Sequence, residues 1–255
     1  MKIKALGASG SEMPGYNLPA FLIDDELLLD AGTIGLSLSY NRQLRIKDIL
    51  VTHSHLDHIK GIPFLLDNII TKNKTHSVRI ISGTDVINDL KKDVFNDRIW
   101  PDFTKIPDRK NPALKFRSIR PSRSMAINGY RVYCERVNHL VPAYGYIIKG
   151  PDKKTLVYTG DTGPTSLLWQ KMAHFNVRCL IIEVSFPNSM TELAIKTGHL
   201  TAALLKEEIE KFANMPARIY ITHTKPQYMK QIRKEINALG IKNIEILRDN
   251  RLITV

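Results

Sequence analysis

The stretch Asp48-Ile49-Leu50-Val51-Thr52-His53-Ser54-His55-Leu56-Asp57-His58 runs from a short apolar strand straight into four metal-capable side chains within six residues. A helix repeats every 3.6 residues and a strand every two, so neither could aim His53, His55, Asp57 and His58 at one point. The spacing therefore predicts a strand-end loop that curls around something. Neutral imidazoles and a carboxylate suit a divalent metal, with zinc the first choice and manganese or iron acceptable to the same donors.

Outward from this point the chain alternates short β-like runs with helical patterns. Residues 46–52 read as a strand and 58–70 as a helix. Upstream, residues 3–6 read as a strand ending in a Gly/Ser loop, and Ala20–Ile23 and Leu27–Leu29 flank Asp24-Asp25-Glu26 as a hairpin. Downstream come a strand at Val78–Ser82 and a helix over 85–96 with Thr84 as its N-cap. Four prolines (Pro101, Pro107, Pro112, Pro121) and many basic residues make 99–124 a long surface excursion with one short strand, Leu114–Ser118. The second half alternates in the same way, with strands at 130–137, 143–149, 155–159, 179–184 and Arg218–Thr222, and helices at 166–174, 201–213 and 225–239. Two halves of this kind predict an α+β fold, an αββα sandwich of two mixed sheets packed face to face with helices on the outer faces, built as a single domain over 1–255.

Composition narrows the partners. The 255 residues are 43% hydrophobic and 24% charged, ordinary for a globular enzyme. Lys and Arg number 37 against 25 Asp and Glu, a net charge of +12. Such a field draws anions and speeds their encounter, which points to a nucleotide or to RNA. Cys134 and Cys179 sit in apolar runs outside any CxxC pair and read as small core residues, so a reducing compartment is expected. The first ten residues hold no signal-like apolar core, and no apolar stretch reaches 18 residues. A cytoplasmic protein without a membrane span is the expectation.

The motif His53-x-His55-x-Asp57-His58 after a buried strand resembles the signature of the metallo-β-lactamase superfamily. That resemblance implies three further ligands downstream, and His139, Asp161 and His223 each follow an apolar β run. It implies that His53, His55 and His139 hold one metal and Asp57, His58 and His223 a second, with Asp161 bridging the two. Asp30, closing the run Leu27-Leu28-Leu29, is placed behind a ligand histidine as the acceptor that orients it. His76 and His174 lack such settings.

Three stretches narrow the branch. His53-Ser54-His55-Leu56-Asp57-His58-Ile59-Lys60-Gly61, Asn96-Asp97-Arg98-Ile99-Trp100-Pro101, and Ile182-Glu183-Val184-Ser185-Phe186-Pro187-Asn188 with Thr197-Gly198-His199-Leu200-Thr201 together resemble the class II cyclic-nucleotide phosphodiesterases. The likeness spans about residues 3–224, and the tail after Leu239 matches no motif. It implies metal-dependent hydrolysis of a 3′,5′-cyclic nucleotide, cyclic AMP or GMP or a cyclic pyrimidine, to the 5′-monophosphate by a hydroxide shared between two divalent ions. Asp57 would orient that nucleophile as well as ligate. His199 would protonate the leaving oxygen, with Glu183 holding its other nitrogen. Trp100 and Phe103 would stack on the base. A loop from a second copy would complete the pocket, making a homodimer.

His139-Leu140-Val141-Pro142-Ala143-Tyr144-Gly145-Tyr146 also resembles the transfer-RNA 3′-processing endonucleases (tRNase Z), which would make RNA the substrate. Thioester hydrolysis as in glyoxalase II explains the metals but not Trp100-Pro101 or His199. A non-catalytic nucleic-acid-binding relative would be expected to have lost ligands that this chain keeps.

Overall fold

In the computed structural model of the chain, residues 1–72 and 75–255 are described. Among the described residues fourteen strands form two seven-stranded sheets. The first sheet is built from β1 (Lys2–Gly7), β2 (Ala20–Ile23), β3 (Leu27–Leu29), β4 (Asp48–Leu50), β5 (Val78–Ser82) and β6 (Leu114–Ser118). The second is built from β7 (Ser124–Ile127), β8 (Tyr130–Arg136), β9 (Tyr144–Lys149), β10 (Thr155–Tyr158), β11 (Val177–Glu183), β12 (Arg218–Thr222) and β13 (Ile244–Ile246). The last strand, β14 (Leu252–Thr254), returns to the first sheet beside β1, giving the order β14-β1-β2-β3-β4-β5-β6. The second sheet runs β13-β12-β11-β10-β9-β8-β7. Both are mixed, with antiparallel hairpins on one side and parallel crossovers on the other.

Period-2 alternation sorts the residues of the second sheet. Tyr146, Ile148, Leu156, Tyr158, Cys179 and Ile181 join the first sheet's Phe21, Leu28, Ile49 and Ile80 in one buried core. Their neighbours Ile147, Val157, Leu180 and Ile182 point the other way, onto the helices α5 and α7 described next. The helices are α1 (Tyr40–Gln43), α2 (Leu56–Ile59), α3 (Gly61–Lys72), α4 (Thr84–Asp89), α5 (Leu167–Met172), α6 (Thr191–Lys196), α7 (Ala202–Glu210) and α8 (Met229–Ala238). α3 covers the first sheet through Ile62, Leu65, Leu66 and Ile69, while α5, α7 and α8 cover the second. The α+β sandwich of two mixed sheets with outer helices is thus the observed architecture. Cys134 and Cys179 are both buried and unpaired.

Several local expectations are corrected. The helix expected over 58–70 starts earlier and divides, with α2 turning at Lys60 into α3. Asp57 and His58 therefore sit on a helical turn, and only His53 and His55 on the loop. Thr84 is the first helical residue and Gly83 the N-cap, and beyond Asp89 the helix widens into a π turn, Leu90–Val94. Three edge strands escaped the sequence reading. β13 and β14, in the tail without a motif, are three residues each and are defined by pairing. β7 did carry a signal: Asn128-Gly129, both with positive φ (47° and 81°), is a two-residue hairpin turn between β7 and β8. Among the described residues no helix is long and apolar enough to cross a membrane.

Candidate active site

The ends of β4, β8, β10, β11 and β12 converge, and the chemistry sits on the loops that leave them. His53 and His55 follow β4, His139 follows β8, Asp161 follows β10, and His223 follows β12. The backbone at His223 is left-handed (φ 58°), a conformation costing roughly 1–2 kcal/mol outside glycine. It is held by a hydrogen bond that the His223 backbone N–H donates to the Ala8 carbonyl at 2.7 Å.

Two groups of donors face each other. In the first, His53 Nε2 lies 3.0 Å from His55 Nδ1, which lies 3.2 Å from His139 Nε2. In the second, Asp161 Oδ2 lies 3.3 Å from His58 Nε2 and 3.2 Å from His223 Nε2, and Asp57 Oδ2 lies 3.1 Å from His223 Nε2. Asp161 Oδ2 is also 3.9 Å from His53 Nε2, so this carboxylate stands between the groups.

The outer hydrogen bonds orient the rings. Asp30, fully buried with left-handed backbone (φ 51°), accepts from Thr52 N, Thr52 Oγ1, Tyr158 OH and His58 Nδ1 at 2.7–2.9 Å. Because the Thr52 hydroxyl is spent on Asp30, His53 Nδ1–H donates to Thr52 Oγ1 at 3.0 Å. His139 Nδ1–H donates to the Gly198 carbonyl at 2.9 Å. In this network His53, His58 and His139 all turn Nε2 inward. Gly198 is left-handed (φ 67°) and packs on the His139 backbone, an approach that leaves no room for a side chain.

The donor set fits divalent cations. His58 Nε2 and Asp161 Oδ1 are buried without a hydrogen-bond partner, a costly arrangement unless something else satisfies them. Nitrogen donors around one tetrahedral zinc stand about 3.3 Å apart, close to the spacing of the first group. Burial, reinforced by neighbouring imidazoles, pushes His53 and His55 below the usual histidine range, and burial does the same for His139. All three are neutral at pH 7 with lone pairs available. Burial acts against ionisation of Asp57 and Asp161, yet His223 and His58 outweigh it; Asp57 falls to about 2 and Asp161 well below the carboxylate range.

Beside these groups lies a further pair. Glu183, fully buried at the end of β11, accepts from His199 Nδ1 at 2.6 Å. Burial opposes a charge on His199, but the Glu183 carboxylate overcomes it through its charge and its hydrogen bond, raising the imidazole to about 9 against a smaller opposing influence of Lys225. His199 stacks on His223 with ring centroids 5.4 Å apart.

Sequence reasoning missed Ser185. Its hydroxyl donates to Glu183 Oε2 at 2.7 Å and receives His223 Nδ1–H at 2.8 Å, tying the Glu183–His199 pair to the second donor group. The signal was positional: Ser185 stands two residues past the end of β11, inside the stretch 182–188 quoted for the resemblance. Thr52 and Tyr158 gave no such signal.

Of the two aromatic residues expected at the base, Phe103 is corrected. Phe103 is 2% exposed within the core and offers no face to a ligand. Trp100 is half-buried and packs edge-on to Phe64 at 5.3 Å. His76 bonds the Ile46 carbonyl, and His174 is exposed.

Two facing mixed sheets with ligand loops at their shared end define the metallo-β-lactamase fold, and the chain has it. It superposes on a metallo-beta-lactamase fold protein, YhfI from Bacillus subtilis, with a TM-score of 0.78 at 18% identity, over 99% of each chain. Residues 35–133 match the family of class-II cAMP phosphodiesterases. The chain is 25% identical to a probable 3′,5′-cyclic-nucleotide phosphodiesterase of Yersinia pestis, over 95% of this chain and 86% of that one. It is 27% identical to the 3′,5′-cyclic-nucleotide phosphodiesterase of Aliivibrio fischeri, over 94% and 88%. The structure of unliganded yeast PDE1 superposes with a TM-score of 0.86 at 20% identity, over 100% of this chain and 99% of that one. A ribonuclease Z of Methanococcus aeolicus is 23% identical over 81% of this chain and 77% of its own.

Proposed function

We propose that the protein is a metal-dependent phosphodiesterase that hydrolyses 3′,5′-cyclic nucleotides to 5′-monophosphates. The observation that carries this reading is the Glu183–His199 pair set against two metal-capable donor groups, His53 with His55 and His139, and Asp57 with His58, Asp161 and His223. The similarity to cyclic-nucleotide phosphodiesterases over nearly the whole chain supports the substrate class.

In this reading His53, His55 and His139 would hold one divalent cation and Asp57, His58 and His223 another, with Asp161 standing between the two groups. Such cations supply Lewis-acid stabilisation of charge on phosphoryl oxygens and make water acidic enough to act at neutral pH. The chain's own residues do the rest. Asp57, with about a third of its side chain exposed, orients the attacking water. His199, its Nδ1 fixed on Glu183, presents Nε2 as the acid for the leaving ribose oxygen. Ser185 keeps Glu183 and His223 in register. Zinc is the proposed metal on the chemistry of the donors. The working unit is proposed as the whole chain 1–255, as a homodimer in the cytoplasm. The free buried cysteines agree with a reducing compartment.

The test is a hydrolysis assay on cyclic AMP, GMP, CMP and UMP beside a precursor tRNA, with EDTA and His55→Ala as blanks. Conversion of a cyclic nucleotide to its 5′-monophosphate, lost in both blanks, is expected. Cleavage of the tRNA alone would instead support the ribonuclease reading, which the +12 charge and the ribonuclease Z relative favour.

A further inference from the structure

The loop after β12 carries a cation that the donor groups do not use. Lys225 Nζ donates to the Gly10 carbonyl at 3.1 Å and lies 5.3 Å from the centre of the Phe186 ring. The other neighbours of these two residues locate it. Phe186 meets His199 edge-on at 5.7 Å between ring centres. Gly10 packs so tightly on His223 that a Cβ would stand 2.7 Å from its Nδ1. The ammonium group therefore sits at the margin of the site on the His199 and His223 side.

Its bonding is incomplete. An ammonium has three donors, and one is engaged here. Among the described residues no carboxylate lies within ion-pair distance of it. Two cations near the site differ in this respect: Lys60 is paired with Glu12 and Arg136 with Asp85. Phe186 and the Gly10 carbonyl fix where the ammonium points without neutralising it.

We propose that Lys225 holds the phosphoryl anion of the substrate and, more tightly, the dianionic phosphate of the product. This rests on the phosphodiesterase reading in needing a phosphate ester in the site. It adds to that reading a charge supplied by the chain itself, on the side where the leaving oxygen meets His199. A charged hydrogen bond of this kind accounts for roughly a tenfold change in affinity.

The experiment is titration of inorganic phosphate into the metal-loaded protein by calorimetry, for the wild type and for Lys225→Ala, Lys225→Gln and Lys225→Arg, with metal content measured in each. About tenfold weaker binding is expected for the Ala and Gln variants, and binding within about threefold of wild type for Arg, at unchanged metal content. Wild-type affinity in Lys225→Ala, or in Lys225→Gln, which keeps an N–H donor without the charge, would overturn the proposal. So would a loss of affinity that merely follows a loss of metal, because Lys225 would then only pin the Gly10 loop against His223. The two readings fail separately: phosphate binding that depends on Lys225 in a protein inert toward cyclic nucleotides would sink the function and leave this inference standing.

Discussion

His199 shows how position decides what a residue does. The carboxylate of Glu183 keeps its imidazole protonated to about pH 9, above the ordinary histidine range. A raised value means that the acid form is present below it and lost as pH rises through it. Activity that depends on this acid should therefore decline along an alkaline limb at or below about pH 9, since nearby cations can only move it down. His199→Ala should lower turnover at least tenfold, and as much as 10²–10⁴-fold, abolish that limb, and leave metal content unchanged. Unaltered turnover would remove His199 from the mechanism. Asp30 acts differently: buried behind the donors, it accepts four hydrogen bonds, one of them from the ring of His58. Asp30→Asn should weaken metal binding about 10–100-fold in a competition titration against a chelator, because the rings of His53 and His58 lose their common anchor.

The elements that matter most are the loops at the ends of the strands. The segment after β1 and the segment after β12 are laced together through His223 N to Ala8 O, Gly10 N to Thr224 O and Lys225 Nζ to Gly10 O. A side chain at Gly10 would collide with the carbonyl of His223. That contact is backbone and cannot swing away, so Gly10→Ala should displace His223. Loss of about one of two bound metals, read by elemental analysis of the folded protein, is the expected result; full occupancy would show that the loop yields instead. The division of the helix at Lys60 has a related consequence. It places Asp57 and His58 on a single turn while His53 and His55 stay outside any helix, so two different backbone settings present four donors to neighbouring points.

Across the whole molecule, the two sheets bury one core between them and the second sheet buries another against its helices, yet the cleft at their shared end contains unpartnered polar atoms. A binding group that satisfies His58 Nε2 and Asp161 Oδ1 should stabilise the entire fold by mass action. Stripping metal with a chelator is expected to lower the melting temperature measurably, and adding zinc to restore it. An unchanged melting curve would mean that the cleft tolerates its uncompensated groups. The basic balance of the chain acts at this scale too, raising the encounter rate with anions without favouring any one fold.

The sequence by itself determined the sandwich class and the places where donors emerge, because both rest on local patterns: period-2 strands, helical spacing, and a histidine cluster whose spacing no regular element could absorb. The same locality made Glu183 and His199 legible as a pair by resemblance. The tertiary structure alone decided what lies beside each donor. Phe103 looked like a platform for a base and is core, because burial depends on what β6 and the excursion pack against. Tyr158 reaches Asp30 across 128 residues, and Lys225 reaches Gly10 across 215, distances at which sequence spacing carries no information about contact. Edge strands such as β14 exist only because a partner strand supplies their hydrogen bonds, so no propensity of three residues could have announced them.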